Sequence, residues 1–204
     1  MTERTRLQRG ALRLEYFTIG WNLIEAGVTV GLGITAGSLA LIGFGADSVI
    51  EVFASSVVVW HLRPGHQQDD PRRTARALRL VGLAFAGLAV ALSAAVARDL
   101  ITGRQPEESV WGAVYLVAAA VVMLGLGLLK RRVAVRLDSA PLRSEAKLTM
   151  LDSALAAGTA VGLGLNIAVG WWWADPITAL VVALICVSEA RENFEEAAEL
   201  AEVR

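Results

Sequence analysis

The chain has 204 residues, of which 55% are hydrophobic and 19% are charged, and its mean hydropathy is +0.52. A soluble domain of this length does not need so apolar a composition, so the composition indicates a membrane protein. The 19 Lys and Arg residues nearly balance the 20 Asp and Glu residues, which argues against nucleic acid as a partner. The single cysteine, Cys186, excludes an intramolecular disulfide and a metal site built from cysteines.

Six apolar stretches are each long enough to cross the roughly 30 Å hydrocarbon core of a bilayer. They cover residues 14–36, 39–61, 77–99, 109–129, 148–170 and 173–190. The sequence therefore predicts an all-α fold, an integral membrane bundle of six transmembrane helices within residues 1–190. The acidic segment 191–204 is predicted to be a short cytoplasmic tail, and we expect no C-terminal soluble domain.

The basic residues predict the orientation of this bundle. Arginine and lysine are concentrated in the N-terminal segment, in the connections 62–79 and 130–147, and in the tail. By the positive-inside rule both termini are then cytoplasmic. Residues 1–13 are arginine-rich but lack a short apolar core and a cleavage site, so they predict a cytoplasmic flank and not a signal peptide. We expect a multi-pass protein of the bacterial inner membrane.

Small residues recur at a spacing of four within the predicted spans. The pairs are Gly27 with Gly31, Gly33 with Gly37, and Gly158 with Gly162. Small side chains let membrane helices approach closely. We therefore interpret these pairs as positions of tight helix packing.

Asp47 and Glu51 lie four residues apart in the second predicted span, so both carboxylates project from one face of the helix. Charged groups inside a membrane span are costly and indicate function. Two adjacent carboxylates in a low dielectric do not both stay ionised unless a cation joins them. Either a metal ion binds this pair or at least one carboxyl holds a proton. A structural pair, bonded to neighbouring helices, is the alternative.

Three further acidic residues lie in or beside predicted spans. Asp152 lies inside the fifth span, and Glu145 precedes it by seven positions, on the same helix face but towards the cytoplasm. Glu25 lies near the middle of the first span, one turn after Asn22. A structural role is the alternative for Asp152, because neighbouring hydroxyl groups can hydrogen-bond to it. The alternative for Glu145 is a solvent-exposed position at the end of its helix.

The segment Gly37-Ser38-Leu39-Ala40-Leu41, followed at this offset by Asp47 and Glu51, resembles the cation diffusion facilitator family of divalent-metal/proton antiporters. The resemblance implies that both carboxylates are metal ligands. It also implies a second half-site on helix 5, where Asp152 takes the downstream position. The segment 173–180, with the sequence WADPITAL, resembles the start of helix 6 in that family.

One departure from the family changes the expected ligand set. Leu148 stands four residues before Asp152, where the family has a second ligand, and a leucine coordinates no metal. We expect Glu25 or Glu145 to compensate for it. The predicted metal site therefore comprises Asp47, Glu51, Asp152, Glu25 and Glu145.

The resemblance implies a divalent metal cation transporter that acts in efflux, coupled to proton antiport because carboxylates release protons on binding a cation. Oxygen ligands favour manganese or iron(II), while zinc stays open. The expected partners are the divalent metal ion, protons, membrane lipid and a second copy of the chain. Such a homodimer would be held by the membrane helices, because the cytoplasmic domain that many members use to dimerise is not expected here.

Other functional classes fit the sequence less well. No cofactor is expected beyond the transported Mn, Fe or Zn ion. We do not expect the protein to be an enzyme, because the sequence has neither a nucleophile–base set nor a glycine-rich phosphate loop. The alternative is a membrane scaffold or regulatory subunit that retains the fold without transporting, which Leu148 motivates.

Overall fold

The computed structural model describes residues 3–36, 39–63, 70–103, 110–171 and 173–202. Within these ranges the chain forms six helices, and an all-α fold is confirmed. The helices are α1 (Glu3–Ala36), α2 (Leu39–Leu62), α3 (Pro71–Thr102), α4 (Val110–Leu137), α5 (Ala140–Val169) and α6 (Ala174–Glu202).

Several helices are longer than the apolar stretches that predicted them, and the extra turns lie at the end predicted to be cytoplasmic. The predicted connection 130–147 is wrong in extent, because α4 continues to Leu137 and α5 begins at Ala140. The described part of the predicted acidic tail is helical and continues α6 without a break to Glu202. Hydropathy marks only the apolar part of a helix, and helical hydrogen bonding continues into the charged residues beyond it.

A tight turn joins α4 to α5. Asp138 adopts a left-handed backbone with φ of 51°, a conformation that Asp tolerates better than most residues. The Ser139 N–H donates to the carbonyl of Ala134 over 3.1 Å, which closes the end of α4. The Ser139 carbonyl then accepts from the N–H of Arg143 over 3.0 Å and starts α5. The two helices are therefore antiparallel neighbours.

Four helices form a closed ring. In it α1 packs on α2, α2 on α5, α5 on α4, and α4 on α1. The other two helices, α3 and α6, pack extensively along each other and cover the side of the ring formed by α2 and α5. The interior of this ring is where residues of α1, α2, α4 and α5 meet.

The main apolar core lies where α3 and α6 meet the ring. Phe85 and Leu88 of α3 contribute to it, together with Ala54 of α2, Leu148 of α5 and Val182 of α6. Large apolar side chains also remain on the outside of the bundle. Ile101, for example, is 85% exposed, as expected for a surface that faces lipid.

Two described segments are long and apolar enough to cross a membrane by length and composition. They are Pro71–Thr102, which is α3, and Val114–Leu137, which is most of α4. The exposed apolar faces agree with this assignment.

The glycine pairs differ in what they contact. A side chain at Gly158 of α5 would overlap the side chain of Thr178 in α6, so tight packing is confirmed at this position. In contrast, no described atom lies within 4 Å of a Cβ placed at Gly27. The prediction of tight packing is therefore wrong for Gly27 within one chain, because this position lies on the outer side of α1. Gly37 lies outside the described residues.

Candidate metal site

Asp47 of α2 and Asp152 of α5 meet where these two helices of the ring are in contact. Their side chains lie close enough to interact directly. Asp47 is buried, with 7% exposure, and its Oδ1 has no hydrogen-bond partner among the described residues. Two carboxyl groups this close do not both stay ionised unless a cation lies between them, so the pair either shares a proton or binds a cation. The structure thus brings together the two residues that the sequence placed on separate helices.

Glu51 lies one turn after Asp47 on α2 and is 1% exposed. Its Oε2 accepts a hydrogen bond from Asn22 Nδ2 of α1 over 2.8 Å. Its Oε1 is buried without a hydrogen-bond partner among the described residues. Glu51 also interacts electrostatically with Asp152. One carboxylate oxygen is therefore held in place by Asn22 while the other stays open to a ligand.

Glu25 lies on α1 with 7% exposure. Its Oε1 accepts a hydrogen bond from the hydroxyl of Tyr115 in α4, and it also bonds Ser48 of α2. Glu25 is close enough to Asp47 and Asp152 to interact electrostatically with both. Sequence reasoning missed Tyr115, because a tyrosine near the end of an apolar helix is ordinary in membrane proteins.

Glu145 lies in a different cluster. Its Oε1 accepts from Lys130 Nζ of α4 over 2.6 Å and from Ser55 Oγ of α2 over 3.0 Å. Lys130 also pairs with Glu15 of α1 over 3.4 Å. The contacts therefore place Glu145 beside a lysine, apart from the Asp47 and Asp152 pair. Sequence reasoning missed Lys130 and Glu15, which look like ordinary charged flanks of apolar stretches.

Leu148 lies in the apolar core. It is fully buried and packs in the core with Ala54, Phe85 and Leu155. The helix 5 position that the family resemblance marks as a ligand site therefore contributes packing in this chain.

Comparison with known proteins identifies the family of the chain. Residues 17–200 match the family model of the cation efflux transmembrane domain. The chain belongs to this cation efflux family. The resemblance to cation diffusion facilitators is thereby confirmed, and the chain is a membrane protein.

Two bacterial relatives are similar to most of this chain. The uncharacterized transporter YdbO of Bacillus subtilis is 26% identical over 182 residues, which cover 86% of this chain and 62% of the relative. The uncharacterized transporter sll1263 of Synechocystis sp. is 24% identical over 174 residues, which cover 81% of this chain and 56% of the relative. The chain thus spans less than two thirds of the length of either relative.

The described acidic residues around Asp47 and Asp152 do not form a compact metal cluster. Among the described side chains, no group of three His, Cys, Asp or Glu residues converges closely enough to hold a metal ion. We call the set Glu25, Asp47, Glu51 and Asp152 the carboxylate layer. It spans α1, α2 and α5, and its open oxygens on Asp47 and Glu51 are acceptors that a proton or a cation would satisfy.

Proposed function

We propose that this protein exports a divalent metal cation across the bacterial inner membrane in exchange for protons. The observation that carries the proposal is the contact between Asp47 and Asp152, beside buried oxygens of Asp47 and Glu51 that have no described partner. Carboxylates buried in this way are costly unless they bind a cation or hold protons. Membership of the cation efflux family supports the same reading.

The proposed topology has six membrane spans with both termini in the cytoplasm. The concentration of arginine and lysine at one end of the bundle supports it. The exposed apolar side chains on several helices support it as well. The carboxylate layer then lies within the membrane, between the two aqueous sides.

Proton coupling follows from the chemistry of the carboxylate layer. A proton shared by Asp47 and Asp152, which interact directly, would be displaced by a divalent cation that binds between them. Glu51, held by Asn22, then supplies a further oxygen. Rocking of the helices of the ring would expose the loaded layer to one side at a time. Metal and protons would therefore move in opposite directions.

The donor set limits the choice of metal. The four carboxylates of the layer offer hard oxygen ligands. Such ligands suit manganese and iron(II) better than zinc, which prefers imidazole and thiolate. We propose Mn, Fe or Zn as the substrate, in that order.

Flux measurement in proteoliposomes tests the proposal. Purified protein is reconstituted with a pH-sensitive dye inside the vesicles, and Mn, Fe, Zn, Co and Cd are added outside in turn. We expect a metal-dependent pH change with the wild type and none with empty vesicles. Absence of both metal binding and proton flux would instead favour the scaffold or regulatory subunit. Cross-linking in the membrane tests the expected homodimer.

A further inference from the structure

A lysine is fully buried inside the four-helix ring. Lys130 of α4 bridges Glu145 of α5, over 2.6 Å, and Glu15 of α1, over 3.4 Å. All three side chains are 0% exposed. Burying charged groups so completely is costly unless each is paired and hydrogen-bonded. This cluster is therefore unlike the exposed ion pairs at the ends of the helices.

Two hydroxyl groups complete the cluster. Ser55 Oγ of α2 donates to Glu145 Oε1 over 3.0 Å, and Lys130 Nζ donates to Thr149 Oγ1 over 3.2 Å. We call Glu15, Ser55, Lys130, Glu145 and Thr149 the lysine cluster. Each of the four helices of the ring contributes at least one residue to it, so the lysine cluster connects all four helices.

The lysine cluster lies about one helical turn from the carboxylate layer. Ser55 follows Glu51 by four residues on α2, and Thr149 precedes Asp152 by three residues on α5, a separation of roughly 5 Å along each helix. Both offsets point to the end of the bundle predicted to be cytoplasmic. Glu51 interacts electrostatically with Lys130 and Glu145. A cation that moves through the ring from the cytoplasm to Glu51 meets the lysine cluster first.

The cluster has more acceptors than its lysine uses. Glu15 Oε1 and Glu145 Oε2 are both buried without a hydrogen-bond partner among the described residues. Two carboxylates surround a single ammonium group, so the cluster has room for more positive charge than Lys130 supplies. Carboxylate and hydroxyl oxygens are also the ligands that hard divalent cations take.

We propose that Glu15 and Glu145 form a second cation site on the cytoplasmic side of the carboxylate layer. In this structure the ammonium group of Lys130 occupies it as a tethered cation. A divalent cation that enters from the cytoplasm displaces Lys130, binds the two carboxylates, and passes on to Glu51. When no metal is present, Lys130 thus blocks the route of a cation from the cytoplasm to Glu51. This inference rests on the proposed transport function.

Chemical labelling of the wild-type protein tests the displacement of Lys130. The chain contains two lysines, Lys130 and Lys147, and the Lys147 side chain is 40% exposed. Proteoliposomes are treated with a membrane-permeable amine reagent with and without a Mn²⁺ gradient, and both lysines are quantified by mass spectrometry. We expect labelling of Lys130 to rise several-fold with Mn²⁺ while labelling of Lys147 stays constant. Unchanged labelling of Lys130 during measured flux would overturn the proposal.

A substitution tests the carboxylates themselves. Lys130→Met removes the tethered cation and leaves Glu15 and Glu145, so the purified variant should bind one more Mn²⁺ per chain than the wild type. Adding Glu15→Gln to Lys130→Met should abolish the additional ion. A folded Lys130→Met variant with unchanged stoichiometry contradicts the second site. Should that variant fail to fold, the labelling experiment decides.

These outcomes are separate from a failure of the transport function. A wild type that neither binds nor transports a divalent cation would refute the proposed function. A wild type that binds Mn²⁺ through Asp47 and Glu51, combined with no additional ion in Lys130→Met, would refute only the second site.

Discussion

Asn22 of α1 donates a hydrogen bond to Glu51 of α2 over 2.8 Å, and both side chains are almost completely buried. The same Asn22 Nδ2 also donates to the carbonyl of Thr18 over 3.1 Å. This second bond fixes the amide relative to its own helix. Asn22 therefore orients Glu51 and makes α1 part of the candidate site.

Removing this donor should weaken metal binding without abolishing it. We expect Asn22→Ala to raise the dissociation constant for Mn²⁺, because Glu51 loses a hydrogen bond to a charged group, an interaction of about 1.5–3 kcal/mol. The loss should be smaller than that caused by Glu51→Gln. Isothermal titration calorimetry on the two purified variants gives the comparison. Equal affinities of Asn22→Ala and the wild type would show that Asn22 does not position a ligand.

Asp47→Asn and Glu51→Gln should each abolish metal-driven proton flux while the protein stays folded. Each change removes a negative charge and a proton carrier but preserves side-chain volume. Ser56→Ala is a suitable control, because Ser56 lies on the exposed side of α2 and its hydroxyl donates to the carbonyl of Val52 in the same helix. Flux that persists in either carboxylate variant would argue against a site on α2, and loss of expression would favour a structural role.

The pairing within α2 could be predicted because it is local. Residues four apart on a helix share a face, so Asp47 and Glu51 had to lie together. Their meeting with Asp152 depends on how α2 packs on α5, and only the family resemblance indicated it. The pairing of Lys130 with Glu15 joins α4 to α1 and leaves no spacing signal. Both residues also stand near arginines, where a charged flank is the simplest interpretation.

Leu148→His should shift metal selectivity towards zinc. Position 148 lies one turn before Asp152 on α5, and imidazole suits zinc better than a hard cation. The measurement is the ratio of zinc to manganese affinity in the variant and the wild type. Leu148 packs in the apolar core, so Leu148→Ala serves as the control for lost packing and should lower stability by about 2–5 kcal/mol. An unchanged ratio would mean that the side chain at 148 points away from the site.

Gly158→Ala should destabilise the contact between α5 and α6. An added methyl group would overlap the side chain of Thr178, whose branched Cβ leaves it little freedom to move. Overpacking of this kind costs about 1–3 kcal/mol, so the melting temperature in detergent should fall. Gly27→Ala is the matched control, because no described atom lies within 4 Å of its added methyl group. Combining Gly158→Ala with Thr178→Ala should restore stability, and a double variant no better than Gly158→Ala would contradict the contact.

The role of Glu25 is the prediction most specific to this sequence, since Leu148 leaves helix 5 one ligand short. Glu25 is buried on α1 and accepts a hydrogen bond from Tyr115 of α4. If Glu25 binds metal or carries a proton, Glu25→Gln should weaken metal binding by about 1–3 kcal/mol. It should also lower the number of protons released on binding.

Tyr115→Phe separates this role from packing. The change removes the hydrogen-bond donor to Glu25 but keeps its carboxyl group, so the number of released protons should equal that of the wild type. Calorimetry in two buffers of different ionisation enthalpy counts the protons for both variants. If Glu25 is only a protonated packing group, Glu25→Gln keeps its shape and a hydrogen-bond donor, and both affinity and proton count should match the wild type. That result would remove Glu25 from the site and leave Asp47, Glu51 and Asp152 as its carboxylates.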